Sequence, residues 1–495
     1  MKFLGLDIGT SGSRAVVIDE NGKVIVAATA THEDFASPEI GWAEQNPSDW
    51  WRACREAIGQ VLQTVKAEEV AAISLSGQMH GSVLLDEADK VIRPALLWCD
   101  QRTEKQCAEI TEHIGKERLI ELVCNPAITG FTLPKLLWVR ENEPENWGKV
   151  RSALLPKDYI RLRLSGDKAS DVADSSGTLM FDVQKRKWSD EVLAAFGLDA
   201  AILPRVYESI EITGTVSESG AAATGLRSGT LIIAGAGDNA AGAIGMGIVE
   251  NGKVSATIGT SGVIFAVSDK PRLDLQGRIH TLCHAIPNRW HNTGVTLAAG
   301  LSFQWFRDNL GDGKSYDELV NEAEAIPSGS EGALWLPYLM GERTPHLDAN
   351  ARAAFVGLNA SHTKVHLTRA VLEGVAFSLR DSLEIFQAAG VEVSSVRVGG
   401  GGAKSRLWRQ IQADVYGKPV EIIAGDEGAA FGAAILAGVG AGAWATVAEA
   451  CEKAIHVVAT IEPHAASADK LQQQYEAYKL LYAALNAAMK IITKS

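Results

Sequence analysis

Asp238 stands between Gly237 and Asn239, after the apolar run Leu231-Ile232-Ile233-Ala234 and before the small-residue stretch Ala240-Ala241-Gly242-Ala243. That pattern predicts a strand, a tight turn and a helix. A carboxylate at such a junction is a favoured helix N-cap, with a charge that suits the helix dipole. It can also accept the proton of an attacking hydroxyl. The two roles are compatible. Asp7 has a related setting, at the end of the first strand-like segment and ahead of Gly9-Thr10-Ser11-Gly12. As a turn residue it would bond its own backbone. Beside a triphosphate it would need a cation between the charges, which reads as Mg²⁺ coordination, directly or through water.

The string Ile-Gly-Thr-Ser-Gly occurs twice, at residues 8–12 and 258–262. A glycine-rich turn gathers backbone N–H groups around one concavity, where they can hold phosphate oxygens. Gly9, Thr10, Ser11, Gly259 and Thr260 are therefore candidate phosphate contacts, with the hydroxyls as extra donors. A single copy reads equally well as a hairpin turn; two copies in matched settings favour phosphate. Arg14, just past the first turn, either stabilises a transferring phosphate or is a surface strand residue.

The elements that must hold these residues are legible in outline. Phe3–Leu6, Ala15–Ile18 and Lys23–Ala28 read as successive strands, the last two joined by a tight turn at Asn21-Gly22. A helix is expected from about Trp50, with Ser48 as its cap, and a buried strand over Val70–Leu75. The second turn lies between strands at 253–258 and 263–267. Thr368–Ala388 predicts an amphipathic helix. Val396-Arg397-Val398 enters Gly399–Gly402, followed by a helix over 405–416, and residues 466–493 read as one terminal helix. Each glycine turn feeds a second strand rather than a helix, which disfavours a Rossmann dinucleotide site. Gly247–Val254 resembles a Walker A pattern but has Val254 where Ser or Thr should ligate the metal.

Bulk properties set limits. A chain of 495 residues accommodates two cores. The formal net charge of −13 and the lack of a basic run argue against nucleic acid or an anionic membrane as partner. The six cysteines show no C-x-x-C pair, so neither a zinc site nor a disulfide framework is expected. No apolar run is long enough to span a bilayer, and the N-terminal residues show no leader pattern. The expected compartment is the cytoplasm.

Asp7-Ile8-Gly9-Thr10-Ser11, Gly237-Asp238-Asn239-Ala240-Ala241-Gly242 and Gly399-Gly400-Gly401 together resemble the FGGY family of carbohydrate kinases, in the actin/hexokinase/Hsp70 superfamily. Leu75-Ser76-Gly77-Gln78-Met79-His80-Gly81, Leu155–Tyr159, Leu336–Leu339 and Gly341-Glu342-Arg343-Thr344-Pro345-His346 extend the likeness along the chain. The resemblance implies an α/β fold of two ribonuclease-H-like domains around a cleft. Residues 1–245 would carry the sugar side, the first phosphate turn and the base, and residues 246–495 the second turn and the adenosine loop.

The implied reaction moves the γ-phosphoryl group of ATP to a sugar hydroxyl, O5 of D-xylulose, with Mg²⁺ as cofactor and Asp238 as base. Met79 and His80 resemble the substrate pair, and Trp98 and Asn239 further sugar contacts. Gly400 and Gly401 resemble the adenosine-side loop. A homodimer is what the family suggests. The alternatives are a kinase of the same family for ribulose, gluconate, erythritol or glycerol, and a conformational ATPase of the actin or Hsp70 type.

Overall fold

The structure, a computed structural model, describes residues 1–425 and 428–493. Lys2–Ile8, Gly12–Asp19 and Val24–Thr31 form an antiparallel meander. The turn into the third strand sets Gly22 at φ 78°, a conformation open to glycine. Lys2–Ile8 also pairs in parallel with Val70–Gly77, which pairs in parallel with Leu231–Gly237, and Ile212–Thr215 closes that edge. This gives a six-stranded sheet.

A seven-stranded sheet repeats the plan. Gly252–Ile258, Gly262–Ser268 and Trp290–Thr296 form its meander, extended by His280–Cys283. Gly252–Ile258 pairs in parallel with Val393–Gly400, and that strand with Val420–Ile423, while Val457–Ile461 closes the far edge antiparallel. The two Ile-Gly-Thr-Ser-Gly strings thus occupy the same place, the turn between the first two strands of each sheet. Two sheet-bearing halves of matching strand order make the actin-like ATPase architecture.

Phe3, Leu4, Leu6 and Ile8 are all fully buried, as expected of a central strand covered on both faces. Side chains alternate across a strand. Leu4, Leu6 and Ile8 therefore meet the helix Pro47–Val61, and Phe3 points to the other face. That other face is covered by a helix from late in the chain, Gly428–Gly440. Its backbone comes so close that a Cβ on Gly5 would lie 1.9 Å from the Ala430 carbonyl oxygen. One on Gly432 would lie 1.8 Å from the carbonyl oxygen of Ala241, in the helix Asp238–Gly245. The first sheet is thus covered by a helix that lies, in chain order, between the last two strands of the second.

Three local expectations are corrected. The helix over 47–61 is capped by Asn46, whose side chain accepts from Ser48 N–H; Pro47 fits the first helical position because its missing N–H would be unpaired there. Gly237, not Asp238, is the N-cap of the helix Asp238–Gly245, and no side chain caps it. Asp238 is instead its first residue. The helix Lys364–Ala388 is not amphipathic at its centre, since Thr368 to Leu379 are buried without a break and core lies on every side. Ser405 caps Arg406–Tyr416 and accepts from Trp408 N–H. The terminal helix, Ala465–Ile492, buries Leu471, Tyr475 and Tyr478. Among the described residues no helix is long and apolar enough to cross a membrane.

Candidate active site

The strand Val70–Gly77 delivers Gln78, Met79 and His80 to the edge of the first glycine turn. Gln78 N–H donates to Ile8 O at 2.8 Å, and its side-chain Nε2 to Gly9 O at 3.3 Å. Met79 is 4% exposed and packs against Gly237, just before the helix that starts at Asp238, and its Sδ accepts from Asn239 Nδ2 at 3.5 Å. His80 adopts φ 67°, rare outside glycine and typical of positions held by their surroundings. The holding groups are visible. Its carbonyl accepts from Lys135 Nζ at 2.8 Å and Thr132 Oγ1 at 3.1 Å, and its ring Nδ1 lies 2.6 Å from Gly177 O.

These residues open into a cavity of about 300 Å³ lined from both halves of the chain. Met79, His80, Trp98, Asp238 and Asn239 come from the first half, and Ser261, His280 and Arg343 from the second. Trp98 is 49% exposed at the rim, so it is not a core residue. Its indole Nε1 donates to Thr10 Oγ1 at 3.0 Å and ties the first glycine turn to the cavity.

Asp238 lies at the cavity wall. Burial first, and then the charge of Asp7, push its carboxyl up to about 7, while the Asn239 backbone N–H acts weakly against them. Such a group is poised to exchange protons near neutral pH. Asp7 is pushed up to about 6 by burial, with Ser76 and Arg14 pulling the other way. Arg14 is its cross-strand neighbour and donates to Thr29 Oγ1 at 3.1 Å; it lines neither cavity described here.

Behind Asp238 lies a fully buried charge cluster that sequence reasoning did not find. Lys157 Nζ is 2.6 Å from Asp158, 2.5 Å from Asp171 and 3.3 Å from Asp174. Arg161, 3.6 Å from Asp158, donates to Ala234 O and Ile233 O of the strand that leads to Asp238. Burial holds the Asp174 carboxyl well above its ordinary value, with the Lys157 charge pulling the other way.

A second cleft, of about 520 Å³, adjoins the second glycine turn. Gly259, Thr260 and Gly401 line it with the aromatic walls Phe303, Tyr316 and Trp408, which suit a flat base. Gly400 does not line it. It sits at φ 70°, where a Cβ would meet Ile258 O at 2.5 Å, so its glycine serves close strand packing. Thr260 borders this cleft and Ser261 the first cavity, which places one turn between the two. Ser11 stands in the first turn, where its carbonyl accepts from His32 N–H at 2.9 Å.

The chain matches the models of the FGGY family of carbohydrate kinases, the N-terminal domain over residues 2–245 and the C-terminal domain over 254–441. The chain belongs to the FGGY family of carbohydrate kinases. It is a sugar kinase, a phosphotransferase whose substrates are a sugar and ATP, and the reading as a conformational ATPase falls away. This FGGY kinase is 40% identical to the xylulose kinase of Bacillus subtilis (strain 168), with all of both chains covered. It superposes on the crystal structure of a "xyloylose kinase" from Brucella ovis with a TM-score of 0.93 and 39% identity, over 99% of this chain and 100% of that one. It superposes on a gluconate kinase from Lactobacillus acidophilus with a TM-score of 0.94 at 26% identity, over 99% of both chains. Overall shape therefore does not select the sugar.

Proposed function

We propose that the protein transfers the γ-phosphoryl group of ATP to O5 of D-xylulose, with Asp238 as general base. The observation that carries this reading is the turn Gly259-Thr260-Ser261, which borders both the aromatic cleft and the cavity holding Asp238. A nucleotide whose base lies in that cleft would carry its phosphates along the turn toward the cavity. Full-length similarity to proteins named xylulose kinase, and Met79-His80 in the cavity wall, support the choice of sugar. The two halves, divided near residue 245, would close on the ligands and exclude water that would otherwise hydrolyse ATP.

In the reaction Asp238 takes the proton of the O5 hydroxyl as the oxygen attacks the γ-phosphorus and the bond to the β-phosphate oxygen breaks, releasing ADP. Met79 supplies an apolar wall, and Trp98 and Asn239 bound the sugar at the rim. Backbone N–H groups of both glycine turns, with Thr10, Ser11 and Thr260 hydroxyls, hold phosphate oxygens. Arg14, whose charge acts on Asp7, would also stabilise the transferring phosphate. Asp7 fits a metal: its Oδ1 is buried without a hydrogen-bond partner, which is costly unless a cation or water meets it. Asp7 would hold Mg²⁺ there, and the ion when bound supplies charge neutralisation for the phosphates. The reading places the enzyme in the cytoplasm, where ATP is available, as the homodimer that the family suggests.

Asp238→Ala is expected to lose at least about a thousandfold in kcat while ATP affinity, read by calorimetry, changes less than about threefold. Sugar-dependent ADP release with D-xylulose, ribulose, gluconate, erythritol and glycerol tests the substrate. Saturable turnover of another sugar, with D-xylulose inert, would overturn the assignment of the sugar.

A further inference from the structure

Two histidines and one arginine line the cavity that holds Asp238, and their hydrogen bonds fix what each can offer. His80 Nδ1 lies 2.6 Å from the Gly177 carbonyl, which only accepts, so Nδ1 carries the proton. His280 Nδ1 lies 3.0 Å from Asn125 Oδ1. Asn125 Nδ2 donates to Val123 O and Thr281 O at 3.0 and 2.8 Å, which fixes its Oδ1 as the acceptor and puts the His280 proton on Nδ1 as well. Burial and the nearby cations keep both rings neutral. Both Nε2 atoms are therefore bare lone pairs. Both rings line the cavity and their hydrogen bonds to described residues run through Nδ1, so each Nε2 is left to accept from a ligand O–H.

Arg343 is the opposite case. It lines the same cavity, and among the described residues its guanidinium has no carboxylate within 4.0 Å and no hydrogen-bond partner; Glu342 next to it is engaged with Thr296 and Leu297. A guanidinium only donates. Its charge acts on His80 and His280, and all three line the cavity that holds Asp238. A sugar whose reacting hydroxyl meets Asp238 reaches the other cavity walls with its remaining oxygens. In a 2-ketopentose phosphorylated at O5, these include the carbonyl, an oxygen that can only accept.

We propose that Arg343 and His280 form the second half of the sugar site, Arg343 donating to the ketose carbonyl oxygen and His280 Nε2 accepting a sugar hydroxyl. This rests on the ketopentose reading above. Among the described residues lining the cavity Arg343 is the one cation, and the His80 and His280 lone pairs repel a carbonyl oxygen, so the site selects a ketose by where its acceptor-only oxygen falls. Neither residue was given a role from sequence, although Arg343 stands in the string Gly341–His346 that carried part of the family likeness.

The test compares wild type, Arg343→Met and Arg343→Lys in turnover of D-xylulose and xylitol, and in calorimetric binding of 5-deoxy-D-xylulose, which keeps the carbonyl but lacks the accepted hydroxyl. Losing a charge-assisted hydrogen bond should raise KM for D-xylulose and weaken the deoxy-sugar by about 10- to 100-fold, with xylitol affected several-fold less. Arg343→Lys should recover part of the loss, and an unchanged ATP affinity certifies the fold. Equal losses on ketose and polyol, or an Arg343→Met enzyme with wild-type KM and sugar affinity, overturns the proposal. Wild type that binds the deoxy-sugar in an Arg343-dependent way but does not phosphorylate D-xylulose sinks the functional reading and leaves this one standing. Wild type that ignores both ketoses while Arg343→Met abolishes gluconate turnover overturns both, because the cation would then serve a sugar acid.

Discussion

Asp7 and Asp238 end two strands of one sheet with a single strand between them, since Asp7 pairs with Ser76 and Ser76 with Ala236. Two strand spacings put the carboxylates roughly 10 Å apart. At an effective dielectric of about 20 to 40, two like charges at that distance repel by about 0.8 to 1.7 kcal/mol. One pKa unit is about 1.4 kcal/mol, so Asp7 accounts for roughly 0.6 to 1.2 units of the upward push on Asp238.

Asp7→Asn removes that charge and should lower the Asp238 midpoint from about 7 by that amount. In the free enzyme, ¹³C-labelled carboxyls followed by NMR read the midpoint directly. In turnover, kcat/KM for the sugar should rise with unit slope through the same pH, because only the ionised carboxylate accepts the proton; about a tenth is ionised at pH 6 and about nine tenths at pH 8. Stability gives an independent arm. Both carboxyls are raised in the folded state, so the folded protein binds more protons than the unfolded chain between about pH 4 and 7, and stability falls as pH rises there. Relative to wild type, Asp7→Asn should gain stability as pH climbs from about 4 to 6, up to about 3 kcal/mol before solvent in the cavity reduces it. A wild-type Asp238 that titrates near 4, or one whose midpoint Asp7→Asn fails to move, would refute the reasoning.

Lys157→Met leaves three buried carboxylates facing Arg161 alone and should cost about 3 to 5 kcal/mol in chemical denaturation; the deficit should shrink at low pH, as Asp171 and Asp174 take up protons. An unchanged stability at pH 7.5 would show that the cluster holds nothing in place. Gly432→Ala puts a methyl 1.8 Å from the Ala241 carbonyl oxygen, and because both atoms sit on helix backbone neither can turn aside. It should destabilise by about 1 to 3 kcal/mol, lower the melting temperature and reduce kcat through the helix that starts at Asp238. A wild-type melting curve counts against that helix contact.

The strands and the two glycine turns were legible because they are local: apolar runs of four to eight residues broken by Gly, Ser and Asn report their own geometry. Pieces of the site were legible for the same reason, with Asp238 at a strand end and Met79-His80 after another. What the sequence did not reveal depends on segments far apart in the chain. His280 acquires its tautomer from Asn125, on the other side of the site, and Arg343 faces His80 from 263 positions away. The helix Gly428–Gly440 is the plainest case. Its Ala, Gly, Ile and Leu side chains are apolar on every face, so periodicity shows burial but not which sheet it covers. It covers the first, and thereby couples the helix that begins at Asp238 to a segment between the last two strands of the second sheet. The carboxylate that the sequence suggested as a helix cap is instead the first helical residue. Burial there, together with Asp7 two strands away, outweighs the Asn239 N–H and lifts its proton affinity into the range a base at neutral pH requires.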